Sequence, residues 1–394
     1  MIDDLGLFKA LNRGYPVTLV LGAGVSRARG LPLWPELLRA AWELVMGNDP
    51  YASDCELLER SRDACRAAGI SPDFVRRLDL TRHPLELQFA FECIFDRLLW
   101  SETRHALRGK LKLRGQAKQD GMANEQLAAD AFAALLRKIL YKGQQGPLQS
   151  NIRATDTLSL VARAIRRSAL AVGGRRVVSQ VITFNVDDLL EQVVNANHRK
   201  QLAFPVTRAA DVSHFTRRSC LSIYHLHGFV PQHPSRYPFR TWDGGEIIKA
   251  RLLVESLVFS DEQYWRTVAN PAGFASRTFV HALSGVCVFI GLSMTDLNII
   301  RWLAQYAAEA KHEFRLMAAE WKDADEVEFD GREELSRHFW ITDQKADEPS
   351  EEITSDFGVY VLRQLLGLRG VQVIEIPSWT SKAFHELWRA GFLS

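Results

Sequence analysis

The sequence predicts an α/β fold: a mostly parallel sheet with helices on both faces and a large helical insertion. Three observations carry this expectation. Residues 17–22, VTLVLG, are apolar nearly throughout, as the central strands of a parallel sheet are. From about Pro35 to about Gly143 strand signals almost vanish and apolar residues recur at helical spacing. Beyond residue 150 strand-like and helix-like stretches alternate, the pattern of a Rossmann-like sheet. The chain is expected to be a single domain over 1–394, with its core in 1–34 and 150–394 and the insertion at 35–149.

The elements follow in order. The first strand breaks into Gly22-Ala23-Gly24, then Ser26, Arg27 and Arg29, before a helix begins. Such a turn is a common way to expose backbone N–H groups to a phosphate. In the helical zone, PELLRAAWELVM, PLELQFAFECIFDRLLW and NEQLAADAFAALLRKIL have helical periodicity, with Pro35 and Pro84 placed as first-turn prolines. Helix TDTLSLVARAIRRSAL then precedes a strand at 177–184, and a helix is expected from about Val186. Further strands are expected at 221–226, 253–260, 286–292, 314–321 and 371–376, with helix TDLNIIRWLAQYAAEA among them. The acidic stretches KDADEVEFDGREE and ADEPSEEITSD read as solvated loops.

Composition bounds the function. Hydrophobic residues make up 47% and charged residues 24%, as in globular proteins, and no apolar run approaches the ~20 residues of a bilayer span. The amino terminus carries two aspartates and no basic segment, unlike a secretory signal, so a cytoplasmic location is expected. A net charge of +2 is too small to demand a nucleic-acid or membrane partner. The five cysteines, Cys55, Cys65, Cys93, Cys220 and Cys287, include no C-x-x-C pair, which argues against a disulfide framework and a four-cysteine zinc site.

Polar and glycine residues gather where the strands stop. The first ends in Gly22-Ala23-Gly24-Val25-Ser26 and the second in Asn185-Val186-Asp187-Asp188. LSIYHL runs into His227-Gly228, and VCVFIGL into Gly291-Leu292-Ser293 with Asp296 beyond. In parallel sheets this edge holds the ligand. Each residue also has an ordinary structural role. Asp187 or Asp188 can cap a helix, Asp296 can cap LNIIRWL, and Asn185 can satisfy loop amides. His225 and His227 alternate with apolar residues and would share one face of a strand.

The segments LGAGVS, ITFNVDD, HLHG and VFIGLS are similar, in order and approximate place, to the motifs of sirtuins. GLPLW, FNVDDLLE and GLSMTD resemble more closely the sirtuin-like proteins of prokaryotic antiphage defence. The resemblance implies that Gly22, Ala23, Gly24 and Ser26 wrap the pyrophosphate of NAD. It implies that Asn185 and Asp187 face the nicotinamide ribose, that His227 is the catalytic histidine, and that Gly291 and Ser293 approach the adenosine half. No family role falls on His225. The deacylases usually carry a small zinc module after the histidine-glycine pair. This chain lacks the cysteine pairs for one, so no zinc is expected and deacylation of proteins becomes doubtful.

NAD is then expected as substrate. Nicotinamide is cationic while attached and leaves neutral, so its departure needs no general acid, and the barrier is an oxocarbenium-like ribose. Asn185 would fix the ribose and a water, His227 would assist proton removal, and Asp187 would orient the set or stabilise positive charge. With water as acceptor the products are ADP-ribose and nicotinamide. The resemblance further implies a silent effector of antiphage defence that acts by depleting NAD. It would be triggered through homo-oligomer assembly or a partner, a HerA-type ATPase first and a short Argonaute second.

Other classes fit some of the same residues. His225-x-His227 with Asp187 and Asp188 could hold a divalent metal for nuclease chemistry, and the basic run RHALRGKLKLRGQAK at 104–118 could touch a nucleic-acid backbone or lie on a solvated face. An NAD- or ADP-ribose-sensing scaffold and an NAD-dependent deacylase complete the alternatives.

Overall fold

The computed structural model describes residues 7, 11, 15, 17–46, 132–142, 156–171, 176–198, 201–207, 220–233, 257–258, 273–294, 296–320, 338–343 and 355–393. Among these residues seven strands form one sheet: β1 (Val17–Leu21), β2 (Val178–Thr183), β3 (Ala203–Val206), β4 (Leu221–His225), β5 (Val286–Ile290), β6 (His338–Thr342) and β7 (Val371–Glu375). Their order is β3-β4-β2-β1-β5-β6-β7, and every neighbouring pair is parallel. The expected α/β architecture with a parallel sheet is therefore present.

Side-chain alternation along the strands divides the core between two faces. Val17, Leu19 and Leu21 of β1, Val286, Val288 and Ile290 of β5, and Phe339 and Ile341 of β6 belong to one buried cluster. Val20, Ile182, Cys287, Phe289 and Trp340 belong to the other. Apolar packing on both sides is why the strands read as nearly continuous hydrophobic runs.

The first cluster takes in Val25 of α1 (Gly24–Arg27), a helix that begins within the glycine turn rather than after the two arginines. It also takes in α2 (Trp34–Met46), α3 (Thr157–Leu170) and α4 (Leu189–Asn195), together with Phe384, Leu387 and Trp388 of α8 (Lys382–Trp388). Helical residues 132–140 join it through Phe132, Leu136 and Leu140. Asp156 caps α3 by accepting the Ser159 N–H at 2.8 Å, and the Trp388 indole N–H donates to the Leu160 carbonyl at 2.9 Å. The opposite face is covered by α5 (Phe274–Leu283) and α6 (Leu297–Glu320), with Leu366 of α7 (Ser355–Gly367).

Several expectations are corrected. Residues 314–320, expected as strand, continue the 24-residue α6, whose helical run absorbs that short apolar stretch. The outer part of the sheet is built instead from β6, HFWIT, which was not anticipated, nor was β3, AFPV. The helix expected from Val186 begins at Leu189, because 184–188 form the loop that carries the site residues. Ser355 and Asp356, expected in a loop, open α7. Residues 257–258 are not in a strand, and the rest of 253–260 lies outside the described residues. So do 47–131, with Pro84 and the run at 104–118, the acidic stretch 322–334, and Cys55, Cys65 and Cys93.

Candidate functional site

The order of the strands creates the site. The chain leaves β1 for β2 on one side and later crosses to β5 on the other, so the loops after β1 and β5 diverge from a shared crevice, the switch point of such sheets. The turns that end β1 and β5 are packed backbone to backbone. The Gly22 amide donates to the Ile290 carbonyl and the Gly24 amide to the Gly291 carbonyl, each at 3.0 Å. A Cβ on Gly22 would sit 2.4 Å from the Gly291 oxygen, and one on Gly291 would sit 2.6 Å from the Val25 nitrogen. Gly291 also has φ +66°, the left-handed region that favours glycine.

This packing engages most of the turn's N–H groups. Beyond Gly22 and Gly24, Val25 donates to the Gly22 carbonyl and Ser26 to that of Ala23, both at 3.1 Å. The two arginines that follow have partners within the fold. Arg27 bridges to Glu36 at 2.8 Å on the surface, and buried Arg29 bridges to Asp156 at 2.8 Å at the start of α3.

Three of the expected site residues meet through their side chains. The Asn185 amide donates to the Ser26 hydroxyl at 3.2 Å, and that hydroxyl donates to Asp187 at 3.1 Å. Asp187 also accepts the Leu189 N–H at 3.0 Å, so it serves the first turn of α4. Asn185 is itself held by its own N–H, donated to the Thr183 hydroxyl at 3.0 Å. Its Oδ1 is buried with no hydrogen-bond partner among the described residues. Burial pushes the Asp187 carboxyl up, and Asp188 and Glu191 add to the rise. The Leu189 and Ser26 hydrogen bonds oppose it, and the carboxyl settles at about 6.

His227 lies at the same edge. β2 and β4 pair through Thr183 and His225, so Asn185 and His227 each stand two residues beyond a matched strand end. The His227 ring meets the edge of Phe184 at 5.0 Å between centroids and that of Trp34 at 5.6 Å. Its Nε2 is 3.9 Å from the Asp296 carboxylate. Burial lowers the His227 pKa and Asp296 only partly offsets this, which favours the neutral ring at pH 7. Gly228, with φ +91°, turns the chain sharply after it. Asp296 caps α6 as expected, accepting the Asn298 N–H at 2.8 Å.

His225 and His227 do not share a strand face. β4 stops at His225 and His227 sits in the turn beyond. His225 is buried with Nδ1 2.9 Å from the Asn185 carbonyl and Nε2 2.7 Å from Glu191, so both of its nitrogens are committed and the His-x-His metal pair is not formed. Among the described residues, no group of three or more His, Cys, Asp and Glu is placed to hold a metal ion.

Asp188 occupies the N-cap position of α4 but makes no capping bond with its side chain. Its carboxylate accepts from the Tyr141 hydroxyl and the Gln192 amide, each at 2.8 Å, and from the Gln232 N–H at 3.1 Å. The Tyr141 oxygen also accepts the Asp188 N–H at 3.1 Å. The segment after helical residues 132–140 is thus fastened to the loop that bears Asn185. Ser293 is exposed just beyond β5, one residue from Met294, whose φ of +56° is unusual for a side chain of its size.

Sequence reasoning gave no role to Glu191, Trp34 or Tyr141. A glutamate in a helix's first turn reads as a solvated acid, and the two aromatics read as core. A histidine two residues before the histidine-glycine pair was the one available signal for a buried acid.

Residues 179–338 match the family model of the SIR2-like domain. The matched span runs from β2 to the first residue of β6 and takes in Asn185, Asp187, His227, Gly291 and Ser293. Gly22, Ala23, Gly24 and Ser26 precede it. The match supports a sirtuin-like family and, with it, an NAD-dependent enzyme in general, with NAD as substrate. A comparison with curated proteins finds none that matches.

Proposed function

We propose that this chain is an NAD+ glycohydrolase that cleaves NAD+ to ADP-ribose and nicotinamide. The observation that carries the reading is the Ser26–Asn185–Asp187 cluster at the switch point, with the buried Asn185 Oδ1 lacking a donor among the described residues. A ribose hydroxyl is such a donor. The dinucleotide would lie along the turns at Gly22–Gly24 and Gly291, with Ala23 and Ser293 alongside.

In the reaction, the bond from ribose C1′ to nicotinamide breaks and its electron pair neutralises the pyridinium nitrogen. Water forms the new bond at C1′, and its proton passes to neutral His227 and on to solvent. Asp187, ionised above about pH 6, stabilises the positive charge on the ribose. Asn185 holds the ribose hydroxyl against rotation. A purified sample incubated with NAD+ is expected to release nicotinamide and ADP-ribose in equal amounts, followed by chromatography. An acetyl-lysine peptide assayed in parallel is expected to remain acetylated.

The biological reading rests on the resemblance of GLPLW, FNVDDLLE and GLSMTD to antiphage proteins. In it the chain is a defence effector, held silent until it assembles as a homo-oligomer with a HerA-type ATPase. Mass photometry of the chain alone and mixed with such an ATPase tests this: monomers in both samples count against it.

A further inference from the structure

We propose that the buried Glu191–His225 pair is a positioning device for Asn185, with an imidazolium that donates from one nitrogen to the Asn185 carbonyl and from the other to the Glu191 carboxylate. The proposal rests on the reading of Asn185 as a ribose-binding group.

The argument is one of donors and acceptors. The Asn185 carbonyl can only accept, so the His225 Nδ1 facing it at 2.9 Å must carry a hydrogen. Nε2 faces the Glu191 Oε1 at 2.7 Å, a distance typical of a charge-assisted bond. A ring protonated at Nδ1 alone would set a bare lone pair against the carboxylate. A ring protonated at Nε2 alone would set one against the Asn185 carbonyl. With a carboxylate at Glu191, only the imidazolium donates to both. Both residues are fully enclosed: the side chain of His225 is 1% exposed and that of Glu191 0%. Losing the proton would leave an uncompensated carboxylate in an enclosed interior, since Glu191 Oε2 has no hydrogen-bond partner among the described residues.

The surroundings reinforce the charge. Burial, the largest single influence, pulls the His225 pKa down. The Glu191 carboxylate and its hydrogen bond, the Asn185 carbonyl and the Asp187 charge outweigh it, and the net movement is upward. Glu191 comes from α4, Asp187 from the loop before it, and the uncharged Phe229 ring covers His225 edge-on at 4.6 Å.

The consequence lies at the next peptide. Thr183 fixes the Asn185 N–H and His225 fixes its carbonyl, so the backbone that presents the Asn185 amide is held at both ends. Glu191 holds the His225 ring from its other nitrogen and acts on the reaction only through His225 and Asn185.

Two readouts test the proposal. In protein labelled with nitrogen-15 at its histidines, long-range proton–nitrogen spectra should show His225 with both nitrogens protonated at pH 7.5. Glu191→Gln identifies the signal by moving it. Should that variant not fold, Phe229→Leu identifies it instead through the lost ring-current shift. In steady-state NAD+ cleavage, His225→Phe should lower kcat about 10- to 100-fold with KM changed by less than about threefold, the scale of a misplaced reacting group. Wild-type kcat should fall at alkaline pH as the pair loses its proton. Glu191→Gln, whose amide donates to a neutral ring, should lack that alkaline limb. A nitrogen of His225 without its proton at pH 7.5, or an alkaline limb unchanged in Glu191→Gln, overturns the proposal. Failure of the wild type to cleave NAD+ overturns the reading of the site instead, and the spectrum still decides the state of the pair.

Discussion

The side-chain amide of Asn185 reaches the hydroxyl of Ser26 at 3.2 Å, joining the end of β2 to the turn after β1 across 159 positions of sequence. Two segments that the sequence keeps far apart therefore form one polar cluster, and it lies where the strand order reverses. Its chemistry leads to four expectations.

Asn185→Ala and His227→Ala should each reduce NAD+ cleavage by at least ~100-fold, the scale of a positioned acid–base group. Thermal melts should show both variants folded. Full turnover by either would remove that residue from the mechanism.

The rate should fall as pH drops through about 6, where Asp187 takes up a proton, and protonation of His227 falls on the same side of the profile. Asp187→Asn should be slow at every pH yet more stable at neutral pH. The sign follows from linkage. The folded chain holds the Asp187 proton from about pH 4 to about 6 while the unfolded chain has released it, so stability falls as pH rises across that window. The resulting penalty, on the order of 1–3 kcal/mol, is what the asparagine removes. His227 works in the other direction, because the unfolded chain takes its proton first and stability rises with pH up to 6.5. Urea unfolding of the two proteins at pH 5 and pH 7.5 separates these contributions. A variant less stable than wild type at pH 7.5 would refute the assignment.

Tyr141→Phe should lower stability by about 1–3 kcal/mol, because the Asp188 N–H and carboxylate both lose a buried partner. Since the same loop carries Asn185, turnover should decline as well. Denaturant titration and NAD+ kinetics on one preparation check both.

Gly291→Ala should cost about 2 kcal/mol or more, from its left-handed φ and the 2.6 Å approach to the Val25 nitrogen. A melting temperature equal to that of the wild type would contradict this packing.

Much of this architecture was legible beforehand because parallel central strands are uninterrupted apolar runs and their ends are marked by abrupt polarity. β1, β2 and β5 have both properties. β6 begins at His338, a buried histidine that breaks the pattern. β3 contains Pro205, which an edge strand tolerates, and among the described residues β3 pairs on one side only, with β4. The stretch at 314–320 misled because a short apolar run has no period of its own, and here it continued a long helix. At the site, the motif residues were readable in the chain, whereas their partners were not. Glu191, Trp34 and Tyr141 acquire meaning only through neighbours distant in sequence.

The interlocked turns at Gly22, Gly24 and Gly291 change what a glycine signature means in this protein. Any methyl added at one would pry β1 from β5, so the sheet's own closure already forbids side chains there, whether or not a dinucleotide ever arrives. Glycine retained at these places in a relative would certify an intact seam between strands. The presence of asparagine and histidine at 185 and 227 is what would distinguish a working enzyme from an inert cousin.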